Sequence, residues 1–259
     1  MRLIKDPSEI NHMQAAANLA SKAHIKAMLK TKPGLYEHHI SAEFDSEFRN
    51  GNSEHSYPPI VAGGENACIL HYTENNKILN DGDLLLVDAG CEILGYASDI
   101  TRTFPINGRF SEPQKQIYEI VLNAQKSAIA CIMPGEKVSK PHDVACDIIT
   151  NGLIELGIMD TPSDLSEFYM HKTGHWLGLD VHDVGTQVID DEYRIFEAGM
   201  VTTVEPGIYI RKSDKIESKY WNIGIRIEDD ILVTNDGNHI LSEAAIKDLK
   251  DIEHLMSNQ

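Results

Sequence analysis

Four acidic side chains stand where apolar strands would normally exclude them, and their placement constrains the fold more than any other feature of the sequence. Asp88 ends the run Leu84-Leu85-Leu86-Val87, and Asp99 sits inside the alternating stretch Tyr96 to Phe104. Glu205 follows Val201-Thr202-Thr203-Val204, and Glu228 follows Ile223-Gly224-Ile225-Arg226-Ile227. In that last stretch a period of two puts the isoleucines on one face and Gly224, Arg226 and Glu228 on the other. An unpaired buried carboxylate costs on the order of several kcal/mol. Singly, each of these acids reads as readily as structural, an ion pair or a strand end, as it does as functional. Together they want a common counter-charge. A metal pair provides it, because oxygen ligands plus an imidazole suit divalent manganese, cobalt or zinc. Arg226, on the face of Glu228, then reads as a partner that orients a ligand, or as a plain salt bridge.

Histidines reinforce the pattern. The segment from His171 through Gly174 and His175 to His182 holds three imidazoles among apolar residues and glycines. It is not the His-Glu-x-x-His helix of zincins, because Lys172 and Thr173 occupy the middle and Gly174 weakens a helix. One histidine there would more often be structural; three point to a ligand with proton-handling partners. His71, in Cys68-Ile69-Leu70-His71-Tyr72, is a weaker signal on its own. Other chemistries lack their motifs: there is no Gly-x-Ser-x-Gly elbow, no Walker loop and no Gly-x-Gly-x-x-Gly after a strand. Gly63-Gly64 reads as a plain turn.

Around these residues helical and strand periods alternate without a Gly/Ser-rich linker. Asp6-Pro7-Ser8-Glu9 predicts a capped helix start. Ile10, Met13, Ala17, Ala20 and Met28 keep helical spacing to the breaker Pro33-Gly34. Ile40, Phe44 and Phe48 mark a second helix ending near Gly51, and the pattern turns β-like from Tyr57 to Phe104. A third helix opens at Ser111-Glu112-Pro113 and stops at Pro134-Gly135; a fourth uses Val144, Ile148 and Leu153 and stops at Gly157. Strand-like segments from Val201 to Ile210 and from Ile223 to Val233 precede a polar C-terminal helix. The reading is one α+β domain. Asp88-Ala89-Gly90 and Glu205-Pro206-Gly207 each end an apolar strand in an acid and a tight turn, with Asp99 or Glu228 following. A duplicated half-domain would explain that echo.

Composition then removes whole classes of function. The 259 residues carry 23 Lys+Arg against 40 Asp+Glu, a net charge of −17. Nucleic acid and anionic membranes are repelled by such a field, and no basic stripe offsets it. Cys68, Cys91, Cys131 and Cys146 form no Cys-x-x-Cys pair and lie in apolar stretches, so they read as buried thiols of a reducing compartment. No apolar signal core opens the sequence, and no apolar run approaches the roughly 18 residues that span a bilayer. A cytoplasmic location is the expectation.

At these residues the sequence resembles the pita-bread metallopeptidases, within them the proline-specific branch that contains aminopeptidase P. The motifs that carry the likeness are Leu70-His71-Tyr72-Thr73-Glu74-Asn75, Val87-Asp88-Ala89-Gly90, Ser98-Asp99-Ile100-Thr101-Arg102, the His171 to Gly185 segment, Val204-Glu205-Pro206-Gly207 and Ile225-Arg226-Ile227-Glu228. Their order matches over nearly the whole chain. The likeness implies a pseudo-twofold β core flanked by helices, and two divalent metal ions, most often manganese, held by Asp88, Asp99, His175, Glu205 and Glu228. In such enzymes the counterparts of Asp99 and Glu228 bridge the ions, and a water between them is the nucleophile. Glu205 matches the proton shuttle to the leaving amine, His71 and His182 match residues at the scissile carbonyl, and His171 matches a residue near the proline-side pocket.

The implied reaction removes an N-terminal residue from a peptide whose second residue is proline, and peptides of that kind are the expected partners. Proline-specific members commonly carry a further N-terminal domain. Here Met1 stands almost directly before the first helix, so residues 1–259 are expected to form a single catalytic domain without it, and homo-oligomer formation is left open. Two other readings stand beside this one. An Xaa-Pro dipeptidase would use the same five ligands, and a metal-free pita-bread module would use the cleft only to bind peptide, although such modules usually lose ligands. Methionine aminopeptidase shares the fold but not the flanking motifs.

Overall fold

The computed structural model describes residues 2–257. Helix α1 (Pro7–Lys30) starts as the sequence predicts. The Asp6 carboxylate accepts the amides of Ser8 and Glu9 at 2.7 and 3.0 Å, and the Glu9 carboxylate accepts the Asp6 amide at 2.7 Å. Small residues on its inner face, among them Ala16, Ala20, Ala23 and Ala27, are fully buried and let it lie close to α2 (Glu37–Asn50), whose inner stripe is Ile40, Phe44 and Phe48. Short strands β1 (Glu54–His55) and β2 (Ile60–Gly63) follow, then β3 (Leu84–Asp88), β4 (Cys91–Ile93), β5 (Tyr96–Ala97) and β6 (Thr101–Pro105).

The second half repeats the plan. Helices α3 (Glu112–Ala130) and α4 (Lys140–Glu155) pack together, and an exposed hairpin of β7 (Val188–Ile189) and β8 (Glu192–Tyr193) intervenes. The second bent hairpin comprises β9 (Val201–Val204), β10 (Gly207–Ile210), β11 (Ile223–Arg226) and β12 (Asp229–Val233); β13 (Asn238–Ile240) and α5 (Leu249–Met256) close the chain. The buried stripe of α4 is Ala145, Ile149 and Leu153, one residue on from the expected Val144 and Ile148, which are half-buried.

Pairing makes the duplication explicit. In one half β3 runs antiparallel to β6 and β4 to β5; in the other β9 runs antiparallel to β12 and β10 to β11. Each half also has an edge segment beside its entering strand. β2 sets Ile60 opposite Asp88. Residues 173–177 do the same along β9: Trp176 bridges Thr202, the Thr203 amide reaches the His175 carbonyl at 2.9 Å, and the Glu205 amide reaches the Thr173 carbonyl at 2.8 Å. His175 therefore stands where the first half has Ala62. On the returning strands the echo slips: Asp88 faces Thr101, whereas the β9–β12 register, continued, brings Glu205 opposite Glu228.

Four expectations need correction. Tyr96 to Phe104 and Ile223 to Val233 are not continuous strands. The ladders break at 98–100 and 227–228, so Asp99 and Glu228 sit in bends. Freed there from their own ladders, backbone groups bond across the halves, with the Glu228 amide on the Thr101 carbonyl at 3.1 Å and the Asp99 amide on the Asp230 carboxylate at 3.2 Å. Gly90 permits the first bend, since a Cβ there would come within 1.8 Å of the Ser98 carbonyl oxygen. Of the four free thiols only Cys68 and Cys91 are buried; Cys131 and Cys146 are half-buried. Gly63-Gly64 is more than a turn: Gly64, at φ +56°, opens a 3₁₀ turn through Cys68. No helix among the described residues is long and apolar enough to cross a membrane.

Candidate metal centre

The two bends meet across the halves and bring the acids together. Donor atoms of Asp99, His175 and Glu228 all lie within 4.8 Å of one another. Asp88 joins them through Tyr57, whose hydroxyl oxygen is 2.6 Å from Asp88 Oδ1 and 2.5 Å from Asp99 Oδ1. Glu205 joins through His175, whose Nε2 is 3.3 Å from Asp99 Oδ2 and 3.5 Å from Glu205 Oε1. All five residues line a cavity of about 1090 Å³ that opens to solvent, with His71, His171, His182 and Arg226 in the same wall. Every residue that the sequence marks as a candidate is thus gathered at one place.

The electrostatics of this cluster are unbalanced. Burial pushes the carboxyl of Glu228 far up, with Asp99, Glu205 and Asp88 adding repulsion; burial likewise raises Asp88 and takes Glu205 to about 7. Burial lowers His175, but hydrogen bonding and attraction to Asp99, with Glu205, outweigh it and hold the ring at about 9. Asp230 accepts the Asp99 amide at 3.2 Å and adds another buried acid whose carboxyl is pushed well up. Tyr57 has one proton for two carboxylates. With both acids ionised, one of its contacts sets lone pair against lone pair. The Nδ1 of His175 donates to the Trp176 carbonyl at 3.1 Å, so the proton facing Asp99 and Glu205 sits on Nε2, and a cation displacing it would find the Nε2 lone pair already aimed. Carboxylate oxygens and one imidazole lone pair aimed at a common point form a donor set that fits divalent cations.

Arg226 answers part of the imbalance. Its guanidinium donates to Asp88, to the Tyr209 hydroxyl at 3.0 Å and to Thr101 Oγ1 at 3.1 Å. It touches Asp88 rather than Glu228, and reaches Glu228 only through Thr101, whose hydroxyl lies 2.6 Å from Glu228 Oε2. Behind this layer Arg102, fully buried, bonds Asp229 at 2.7 Å and the Ala245 carbonyl at 2.7 Å.

The histidines without a place in the donor cluster stand around its mouth. His171 Nε2 is 2.8 Å from the Tyr209 hydroxyl, and burial lowers the ring to about 4. His182 stacks edge-on to His175 at 4.2 Å between centroids. Its loop is fixed at the next residue, where Asp183 accepts Lys5 Nζ at 3.2 Å and also pairs with Arg2. Gly174 lets the His171 to His175 segment hug β9, as a Cβ would come within 2.1 Å of the Thr203 carbonyl oxygen. Tyr57, Thr101 and Tyr209 escaped the sequence reading. Tyr57 precedes Pro58-Pro59, a signal for extended chain, but no local pattern marks its hydroxyl for acids 31 and 42 residues away.

The model of metallopeptidase family M24 matches residues 11–235. The chain belongs to this family. An Xaa-Pro aminopeptidase of Haemophilus influenzae is 52% identical over 265 residues, covering 99% of this chain and 61% of the relative. Among solved structures, the aminopeptidase PepP of Pseudomonas aeruginosa superposes with a TM-score of 0.97 at 48% identity, over 99% of this chain and 60% of that one. Zinc-substituted aminopeptidase P of Escherichia coli in complex with product gives 0.96 at 45% identity, over 100% of this chain and 60% of that one. The chain thus has the M24 pita-bread fold, and it spans about 60% of the length of these bacterial relatives.

Proposed function

We propose that the chain is a single catalytic domain that hydrolyses the bond between an N-terminal residue and a following proline. The observation that carries this reading is the convergence of Asp99, His175 and Glu228 donor atoms within 4.8 Å in an open cavity. Its setting supports it: an M24 chain 52% identical to an Xaa-Pro aminopeptidase. Two divalent cations, manganese ahead of cobalt or zinc, held by Asp88, Asp99, His175, Glu205 and Glu228, would supply Lewis acidity and an acidified water.

The remaining chemistry belongs to the side chains. Arg226 and Tyr57 hold Asp88 in place, and Thr101 holds Glu228. Glu205 takes the proton of the attacking water at an oxygen and returns it to the departing proline nitrogen. That nitrogen belongs to a tertiary amide and has no hydrogen of its own, so its protonation is part of bond cleavage. His71 and His182 donate to the carbonyl oxygen as negative charge builds on it. His171, braced by Tyr209, forms the wall on the proline side.

The test is cleavage of an Xaa-Pro-Yaa tripeptide by manganese-loaded protein, beside the matched Xaa-Pro dipeptide and an Xaa-Ala-Yaa tripeptide. Release of Xaa from the proline tripeptide alone is the expected result. Cleavage of the dipeptide alone would make the chain a dipeptidase, and protein that takes up no metal and cleaves nothing would be a binding module.

A further inference from the structure

Glu37 is fully buried at the first turn of α2, and no cation pairs with it among the described residues. Its two oxygens are instead saturated by neutral donors from one stretch of chain. Oε1 accepts the Gly63 amide at 2.8 Å and Asn66 Nδ2 at 2.9 Å; Oε2 accepts the Tyr72 hydroxyl at 2.7 Å and the Lys77 amide at 2.9 Å. The Lys77 carbonyl in turn accepts the Glu37 amide at 2.9 Å. The carboxylate therefore gathers both ends and the middle of segment 63–77, and its site at a helix N-terminus favours the charge.

That segment carries His71. Leu70, His71 and Thr73 line the cavity, while Tyr72 turns the other way, is 5% exposed and ends on Glu37. Among the described residues no hydrogen bond or ring stacking fixes the His71 imidazole, which is exposed at the cavity wall. Its position is set by the backbone on which it is mounted, and the nearest side-chain tether of that backbone is the Tyr72 hydroxyl on Glu37.

We propose that Glu37 is a positioning residue for His71, acting through Tyr72 and segment 63–77, so that the imidazole meets the scissile carbonyl at bonding distance. The proposal rests on the reading of His71 given above. Glu37→Gln turns an amide nitrogen toward two donors and breaks the cradle; Tyr72→Phe removes one bond and leaves three, so the fold is kept. Both variants should lower kcat on the proline tripeptide, Tyr72→Phe by several-fold and Glu37→Gln by roughly 10-fold or more, with KM little changed. Metal content should stay at the parent level.

The deciding measurement is a double-mutant cycle with His71→Ala, joined to amide hydrogen exchange over residues 63–77. In the His71→Ala background neither Glu37→Gln nor Tyr72→Phe should lower the rate further, and exchange should quicken over 63–77 in both. Equal losses in both backgrounds, or unchanged exchange, would overturn the positioning role and leave the function of His71 standing. A His71→Ala protein with the parent rate would overturn the reading of His71 itself, and the proposal with it.

Discussion

Glu205 faces two demands that pull its carboxyl in opposite directions. Holding a cation requires the ionised form, while shuttling a proton requires a group that protonates readily near neutrality. Burial raises it, with Asp99 and Asp88 adding to the rise, while His175 and Arg226 pull it back; without a cation the balance falls at about 7, and a bound cation would draw it down. Glu205→Gln should cut turnover by roughly 10²-fold; steady-state kinetics beside metal analysis would show it, and a fully metallated variant with the parent rate would remove the shuttle role. His182 meets a different test. It stacks on His175 without joining the donor cluster, so His182→Ala should lower kcat while metal stoichiometry holds. The acids and histidines were legible in the sequence because burying a charge is costly enough to need a reason. Hydroxyls such as Tyr57, Thr101 and Tyr209 carry no such cost signal. They can stand in a strand or before a proline without comment, and only the fold shows what they touch.

Elements differ in how far local sequence determines them. The start of α1 was readable to the residue, because a capping box is a contract among neighbours, whereas the bends at Asp99 and Glu228 were not. Side-chain alternation runs through them undisturbed: Ile223, Ile225 and Ile227 stay on one side although the ladder ends at Arg226. What breaks the ladder is hydrogen bonding to the other half, which no short window contains. The docking of α1 yields a pH prediction. His24 is fully buried, donates from Nε2 to the Ala89 carbonyl at 3.1 Å and meets Phe44 edge-on at 4.9 Å. Burial, with Arg102 nearby, takes its ring from 6.5 to about 3. The unfolded chain binds that proton first, so stability is complete above pH 6.5 and falls as pH drops toward 3. By pH 5 the loss is about 2 kcal/mol. Denaturant midpoints at pH 7 and pH 5 should differ by less in His24→Leu than in the parent, and an equal difference would exclude His24 as the cause.

For the whole molecule, each half brings two carboxylates to the centre and His175 comes from the second alone. Cations bound there would stabilise the folded state and nothing else. Chelation should therefore lower the thermal midpoint by on the order of 10 °C, taking about 3–4 kcal/mol of linkage for a chain of this length. A midpoint indifferent to chelator and to added manganese would speak for a cleft that binds peptide without metal. The doubled bent hairpin also bears on descent. A forebear of half this length would have held one bent hairpin and two acids, and could have assembled such a centre only by pairing with its own copy. With both copies in one chain, the positions of Ala62 and His175 would be free to part. As the molecule stands, one half has a plain apolar edge where the other has an imidazole, so a cleft between two like halves has two unlike sides.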